Sequence, residues 1–98
     1  MSNQIHIVAR IVAQADKVEI VRETLLGLVE PTRKEAGCIS YQLLQNNADP
    51  TDFTFVEVWA NQKAIDAHFA TTYVQEALAK VPTLVAKAPD IQYYSIVK

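Results

Sequence analysis

In residues 5–13 (IHIVARIVA) every odd position is apolar: Ile5, Ile7, Ala9, Ile11 and Ala13. The even positions mix His6, Val8, Arg10 and Val12. Period-two alternation rich in β-branched residues predicts a strand, and the half-apolar second face predicts partial cover on both sides. Over residues 15–36 the period changes. Val18, Val21, Leu25, Leu28, Val29 and Thr32 recur at steps of three and four, which predicts an amphipathic helix with Asp16 near its start and Gly37 just past its end. Pro31 removes a backbone donor inside that pattern and predicts a kink or a break.

A second strand is predicted at Cys38–Gln45 (CISYQLLQ), then a loop of turn formers over 46–52 (NNADPTD) and a third strand over 53–60 (FTFVEVWA). Joined as a hairpin, these strands are expected to set Tyr41 opposite Trp59 and Leu43 opposite Glu57, which puts Tyr41, Glu57 and Trp59 on one face. Asn61 is placed to cap a helix carrying Ala64, Ile65, His68 and Phe69. Thr71 or Thr72 caps another, whose apolar stripe is Val74, Ala77, Leu78 and Val81 and which Pro82 ends or bends. Pro89 and Asp90 precede a last strand over 91–97 (IQYYSIV).

The order strand, helix, strand, strand, helix, strand is the split βαβ, or ferredoxin-like, α+β arrangement, with helices on one face of a four-stranded antiparallel sheet. The other face keeps apolar residues and needs a second cover. A copy of the same chain is the simplest one, so a homodimer built face to face is expected.

Composition narrows the picture. Ninety-eight residues make one domain, 1–98, and half are apolar with a fifth charged, which is globular composition. A net charge of −2 supplies no broad basic field and argues against nucleic acid as a partner. The opening MSNQIHIVAR lacks a signal-peptide pattern and no apolar run reaches membrane length, so no membrane association and a cytoplasmic location are expected. Cys38 stands alone and reads as a buried, inert thiol. His6 and His68 are too few and too scattered for a metal site, and with only Gly27 and Gly37 there is no phosphate loop. No metal, flavin or nucleotide cofactor is expected.

Three segments carry a family resemblance: IHIVARIVA, PTRKEAGCISYQL over 31–43, and DPTDFTFVEVWANQKAIDAHF over 49–69. The ordered set E-x-G-C-x-x-Y, D-P-x-x-F-x-x-x-E-x-W and A-x-x-x-H resembles the antibiotic biosynthesis monooxygenase domain family over nearly the whole chain. The resemblance implies a dimeric ferredoxin-like α+β barrel with a pocket between sheet and helices in each subunit. Some members oxidise quinols or related phenols with O₂ without flavin, metal or haem, and others isomerise small sugar-derived signals. Tyr41, Glu57, Trp59 and His68 match positions that recur in the family's motif. Many members carry a second His five residues after the first, where this chain has Tyr73. The Asn–Trp–His pattern of haem-degrading relatives is not present.

Each candidate has a plainer reading beside the functional one. His68 is a general base or phenolate-positioning group, or a half-buried helix residue with one satisfied hydrogen bond. Glu57 orients His68 or receives a substrate proton, or forms a structural ion pair with Arg10 or Arg33. Trp59 and Tyr41 form an aromatic wall or pack the core. Tyr73 offers a hydroxyl for binding. His6 and Arg10 share a strand face and bind an anion, or meet a neighbouring carboxylate. The function expected is a cofactor-independent, quinol-monooxygenase-like enzyme acting on a quinol or hydroxylated aromatic with O₂. An isomerase of a small polar metabolite, phosphorylated or not, and a non-catalytic ligand-binding module are the alternatives.

Overall fold

The computed structural model describes residues 3–98. The alternating segment forms β1 (Ile5–Val12), followed by α1 (Val18–Leu26), α2 (Val29–Arg33), β2 (Cys38–Gln45), β3 (Asp52–Trp59), α3 (Gln62–Phe69), α4 (Thr72–Lys80), a 3₁₀ turn (Val81–Thr83) and β4 (Asp90–Tyr94). The strands lie in the order β2-β3-β1-β4, every neighbouring pair antiparallel. β1 and β2 therefore run the same way with β3 between them, the ferredoxin-like α+β fold. β4 stops at Tyr94 rather than continuing to residue 97. Tyr94 pairs with His6, the second residue of the antiparallel β1, so the chain beyond it has almost no ladder left to extend.

The odd positions of β1 form the inner face. Ile7, Ala9 and Ile11 are buried with Phe53, Phe55 and Trp59 of β3 and Tyr41 of β2, against Val21 and Leu25 of α1, Ile65 of α3 and Val74 of α4. The opposite face has no helix on it. Val8, Val12, Val56 and Val58 are half-buried there, while Leu44 and Tyr94 are about half exposed.

The predicted hairpin register is corrected by two residues. Tyr41 faces Glu57 and Leu43 faces Phe55, instead of Trp59 and Glu57. A shift of two preserves the side-chain face, because the period is two, so Tyr41, Glu57 and Trp59 remain together. The ladder shifts between Cys38 and Ser40, which leaves Ile39 unpaired.

The long helical pattern breaks four residues before Pro31, at Gly27 and Leu28, and resumes as α2 with Pro31 at its third position. First-turn N–H groups have no intrahelical acceptor, so a proline there costs no hydrogen bond. Asn61 Oδ1 accepts from the Ala64 N–H at 2.9 Å, and Thr71 Oγ1 caps α4 through the Val74 N–H. Gly37 lets the start of β2 press on α3. A Cβ placed on it would stand 2.2 Å from Ala64 Cβ, far inside contact distance.

Candidate functional site

That close approach of β2 to α3 brings the α2–β2 turn over His68. Glu35, in this turn, has its N–H bonded to Thr32 O at 3.0 Å and accepts at its own carbonyl from Cys38 N at 3.1 Å. Glu35 Oε2 lies 2.9 Å from His68 Nδ1 and also accepts the hydroxyl of Tyr73. A carboxylate only accepts, so Nδ1 carries the hydrogen and, in the neutral ring, Nε2 holds the lone pair. The backbone at His68 is held as well: its carbonyl accepts from Thr71 Oγ1 at 2.7 Å and Thr71 N at 3.1 Å.

His68 is 3% exposed and packed among rings. Its centroid lies 4.6 Å from that of Trp59, 5.7 Å from Tyr41 and 5.2 Å from Phe69. Trp59 Nε1 donates to Glu57 Oε1 at 2.8 Å, along the same face of β3. Burial drives the Glu57 carboxyl up to about 7; the Trp59 hydrogen bond opposes this and the nearby Glu35 charge adds to it. Burial is also the main cause that raises the Tyr41 phenol, with the Glu57 charge second. Tyr73 is pushed up to about 12 by desolvation and by its bond to Glu35, so it stays a neutral donor. Burial likewise raises the Cys38 thiol, which favours its unreactive form.

Between the sheet and helices α1 and α4 lies a cavity of about 60 Å³, room for about two waters. Its walls are apolar, from Leu25, Phe55 and Val74 among others, with Pro89 and Ile91 bordering it on the β4 side. Tyr41, Glu57 and His68 form its polar end. Neither Nε2 of His68 nor Oε2 of Glu57 has a hydrogen-bond partner among the described residues, and both residues line the cavity. No Lys or Arg lines this cavity.

The structure brings together Tyr41, Glu57 and His68 of the predicted residues and redistributes the others. Trp59 is fully buried behind His68 and Glu57, outside the cavity lining. Tyr73 reaches the site through Glu35. His6 and Arg10 lie on the helix-free face of the sheet, opposite the cavity, because they occupy even positions of β1. There Arg10 Nε pairs with Asp52 Oδ1 at 2.9 Å, and Asp52 is held below its ordinary range by that bond and one from Asn46. The expected pairing of Glu57 with His68 is corrected as well: Glu35 holds His68, and Glu57 is held by Trp59 rather than by Arg10 or Arg33. Glu35 was not singled out by the sequence pattern. Its one signal was its place in E-x-G-C, beside the glycine that permits the close approach.

Residues 4–80 match the family model described as antibiotic biosynthesis monooxygenase. The protein sll1783 of Synechocystis sp. is 38% identical over 90 residues, covering 92% of this chain and 61% of the relative, so the chain spans about three-fifths of that protein's length. The crystal structure of SO0527 from Shewanella oneidensis superposes with a TM-score of 0.90 at 33% identity, covering 96% of this chain and 91% of the other. A crystal structure described as antibiotic biosynthesis monooxygenase gives 0.91 at 26% identity, covering 96% and 99%.

Proposed function

The chain belongs to the antibiotic biosynthesis monooxygenase family, and we propose that its cavity binds a small hydroxylated aromatic, such as a quinol, and oxidises it with O₂. The observation that carries this reading is His68. Its Nδ1 is bonded to a carboxylate, which leaves Nε2 as the accepting nitrogen, and the residue lines a mostly apolar cavity.

In this reading a substrate hydroxyl gives its proton to His68 Nε2, and Glu35 stabilises the imidazolium. The resulting anion is an electron donor in a water-poor site, and it reduces O₂ itself. One oxygen atom enters the ring and the other leaves as water, so a quinol becomes a hydroxyquinone. No flavin, metal or haem is needed for that sum. Tyr41 and Phe69 flank the ring. At about 60 Å³ against the roughly 150 Å³ that admits a benzene ring, even a single ring requires α4 or the segment at Pro89 and Ile91 to move aside.

An isomerase of a phosphorylated metabolite needs a cation at its anion. The residues expected for that role, His6 and Arg10, are on the other side of the sheet, and two carboxylates stand near the polar end of the cavity. The oxygenase reading is favoured on that ground.

The uncovered sheet face supports a homodimer. Val8, Val56, Val58, Leu44 and Tyr94 form an apolar surface that a second copy would bury.

Oxygen uptake by metal-stripped, flavin-free protein with a panel of quinols and phenols tests the activity. Uptake above spontaneous oxidation, lost in a folded His68→Ala variant, is the expected result. Uptake that His68→Ala leaves unchanged would remove His68 from the chemistry, and no uptake with any member would count against the oxygenase.

A further inference from the structure

We propose that Glu57 acts in this cavity as a neutral carboxylic acid, donating a hydrogen bond from its Oε2 to a hydroxyl or carbonyl oxygen of an uncharged aromatic ligand. This deepens, and rests on, the reading of the cavity as the ligand site, and it specifies the charge and acceptor chemistry that the ligand must have.

One oxygen of Glu57 is poised there without a partner. Glu57 is 4% exposed; Oε1 is committed to the Trp59 N–H at 2.8 Å, while Oε2 is unpartnered at the cavity wall. The groups around it offer no positive charge to hold it ionised. β2 contributes Tyr41 and Cys38, β4 contributes Tyr93, and the α2–β2 turn brings the Glu35 carboxylate; each of the three titratable side chains on the strands carries the Glu57 charge among the causes that raise it. β1 presents Ile7 directly opposite. On α3, His68 directs its Nδ1 hydrogen to Glu35, not to Glu57. A buried carboxylate with one oxygen in an apolar cavity and no cation takes up a proton rather than stay charged. Burial accordingly moves the carboxyl to about 7.

The protonated acid changes what the cavity recognises. An ionised Glu57 accepts only; a neutral one presents an O–H. Beside His68, which accepts at Nε2, and the neutral Tyr41 hydroxyl, the cavity then offers an acceptor and a second donor. A ligand with a hydroxyl at one position and a carbonyl at another satisfies both, whereas a carboxylate or phosphate finds no cation in the lining.

Acetophenone, an acceptor-only neutral probe, and benzoate, its near-isosteric anion, test this without turnover. Binding is followed through the indole N–H resonance of Trp59, the single tryptophan of the chain. Wild type is expected to bind acetophenone at about pH 6 and at least tenfold more weakly at about pH 9, since each pH unit above the carboxyl's value removes roughly tenfold of the donor form. Glu57→Gln keeps a neutral donor and an acceptor for Trp59, so it is expected to bind acetophenone equally at both pH values. Benzoate is expected to bind more weakly than acetophenone throughout. Acetophenone binding that tightens toward pH 9, that is lost in a folded Glu57→Gln variant, or that is absent at every pH would overturn the proposal. If the variant does not fold, the infrared carbonyl band of a protonated carboxyl decides: it is expected in wild type at about pH 6 and its absence overturns the assignment. Failure of oxygen uptake with acetophenone binding intact sinks the oxygenase alone; retained uptake with no binding pattern of this kind sinks the role of Glu57 alone.

Discussion

Oε2 of Glu35 sits 2.9 Å from Nδ1 of His68 across 33 residues of sequence, and the same oxygen accepts the hydroxyl of Tyr73. One carboxylate thus sets which nitrogen of His68 carries hydrogen and ties α3 and α4 to the turn before β2.

Glu35→Gln keeps the shape and removes the charge that stabilises a protonated His68. It is expected to lower kcat about tenfold to a hundredfold with little change in KM, as befits a group acting through the base. Tyr73→Phe, which leaves the carboxylate in place, is expected to cost only a few-fold. The discriminating readout is the pH profile of kcat. A shift of its limb in Glu35→Gln marks positioning of His68, whereas an unchanged profile with a lower melting temperature marks a structural role only.

Trp59→Phe preserves a ring against His68 but deletes the donor to Glu57. Leaving the buried Glu57 oxygen without that bond is expected to cost roughly 1–3 kcal/mol. Because the Trp59 bond is what opposes desolvation at Glu57, the carboxyl should rise further in the variant. Denaturant unfolding measures the first effect and the infrared carboxyl band the second. A variant as stable as wild type would contradict this account of the pair.

The pH dependence of stability follows from the same group. Glu57 rises from an ordinary 4.5 to about 7 on folding, so the native state holds the proton more tightly. Its contribution is fully present below about pH 4.5, falls as the pH climbs to about 7, and is lost above that. The loss is on the order of 3 kcal/mol at most. Relative to Glu57→Gln, wild type should therefore lose stability between pH 5 and 8, as read by paired thermal melts. Parallel curves for the two proteins would show that Glu57 does not titrate in this window.

Gly37→Ala puts a methyl group 2.2 Å from Ala64 Cβ. The expected cost is roughly 1–3 kcal/mol of overpacking, together with reduced activity, since the Gly37–Ala64 contact seats Glu35 over His68. Ala64→Gly in the same chain should restore much of both. Circular-dichroism melts of the two single variants and the double variant form the test, and additive losses in the double variant would rule out the contact as the cause.

Much of this protein was legible along the chain. The period of two in β1, the steps of three and four in α1, the Asn61 and Thr71 caps and the order of elements follow from local chemistry, because alternation, helical spacing and capping involve residues within one or two turns of each other. The grouping of Tyr41 with Glu57 and Trp59 survived a wrong register for the same reason: a slip of two leaves every side chain on its face. The helix break was displaced from Pro31 to Gly27 and Leu28, since a proline is harmless in a first turn and the chain could break earlier instead. Which carboxylate serves His68 was not legible. Glu57 is closer in sequence, but strand β3 aims it at its neighbour Trp59, and Glu35 arrives from another turn only because Gly37 allows β2 to close on α3. His6 and Arg10 were separated from the cavity by the thickness of a single sheet, a consequence of strand parity that becomes functional only once the helices have chosen their side. Local periodicity determined the elements and their faces; the packing of those faces decided which polar atoms meet, because distances between residues far apart in sequence are set by tertiary contacts alone.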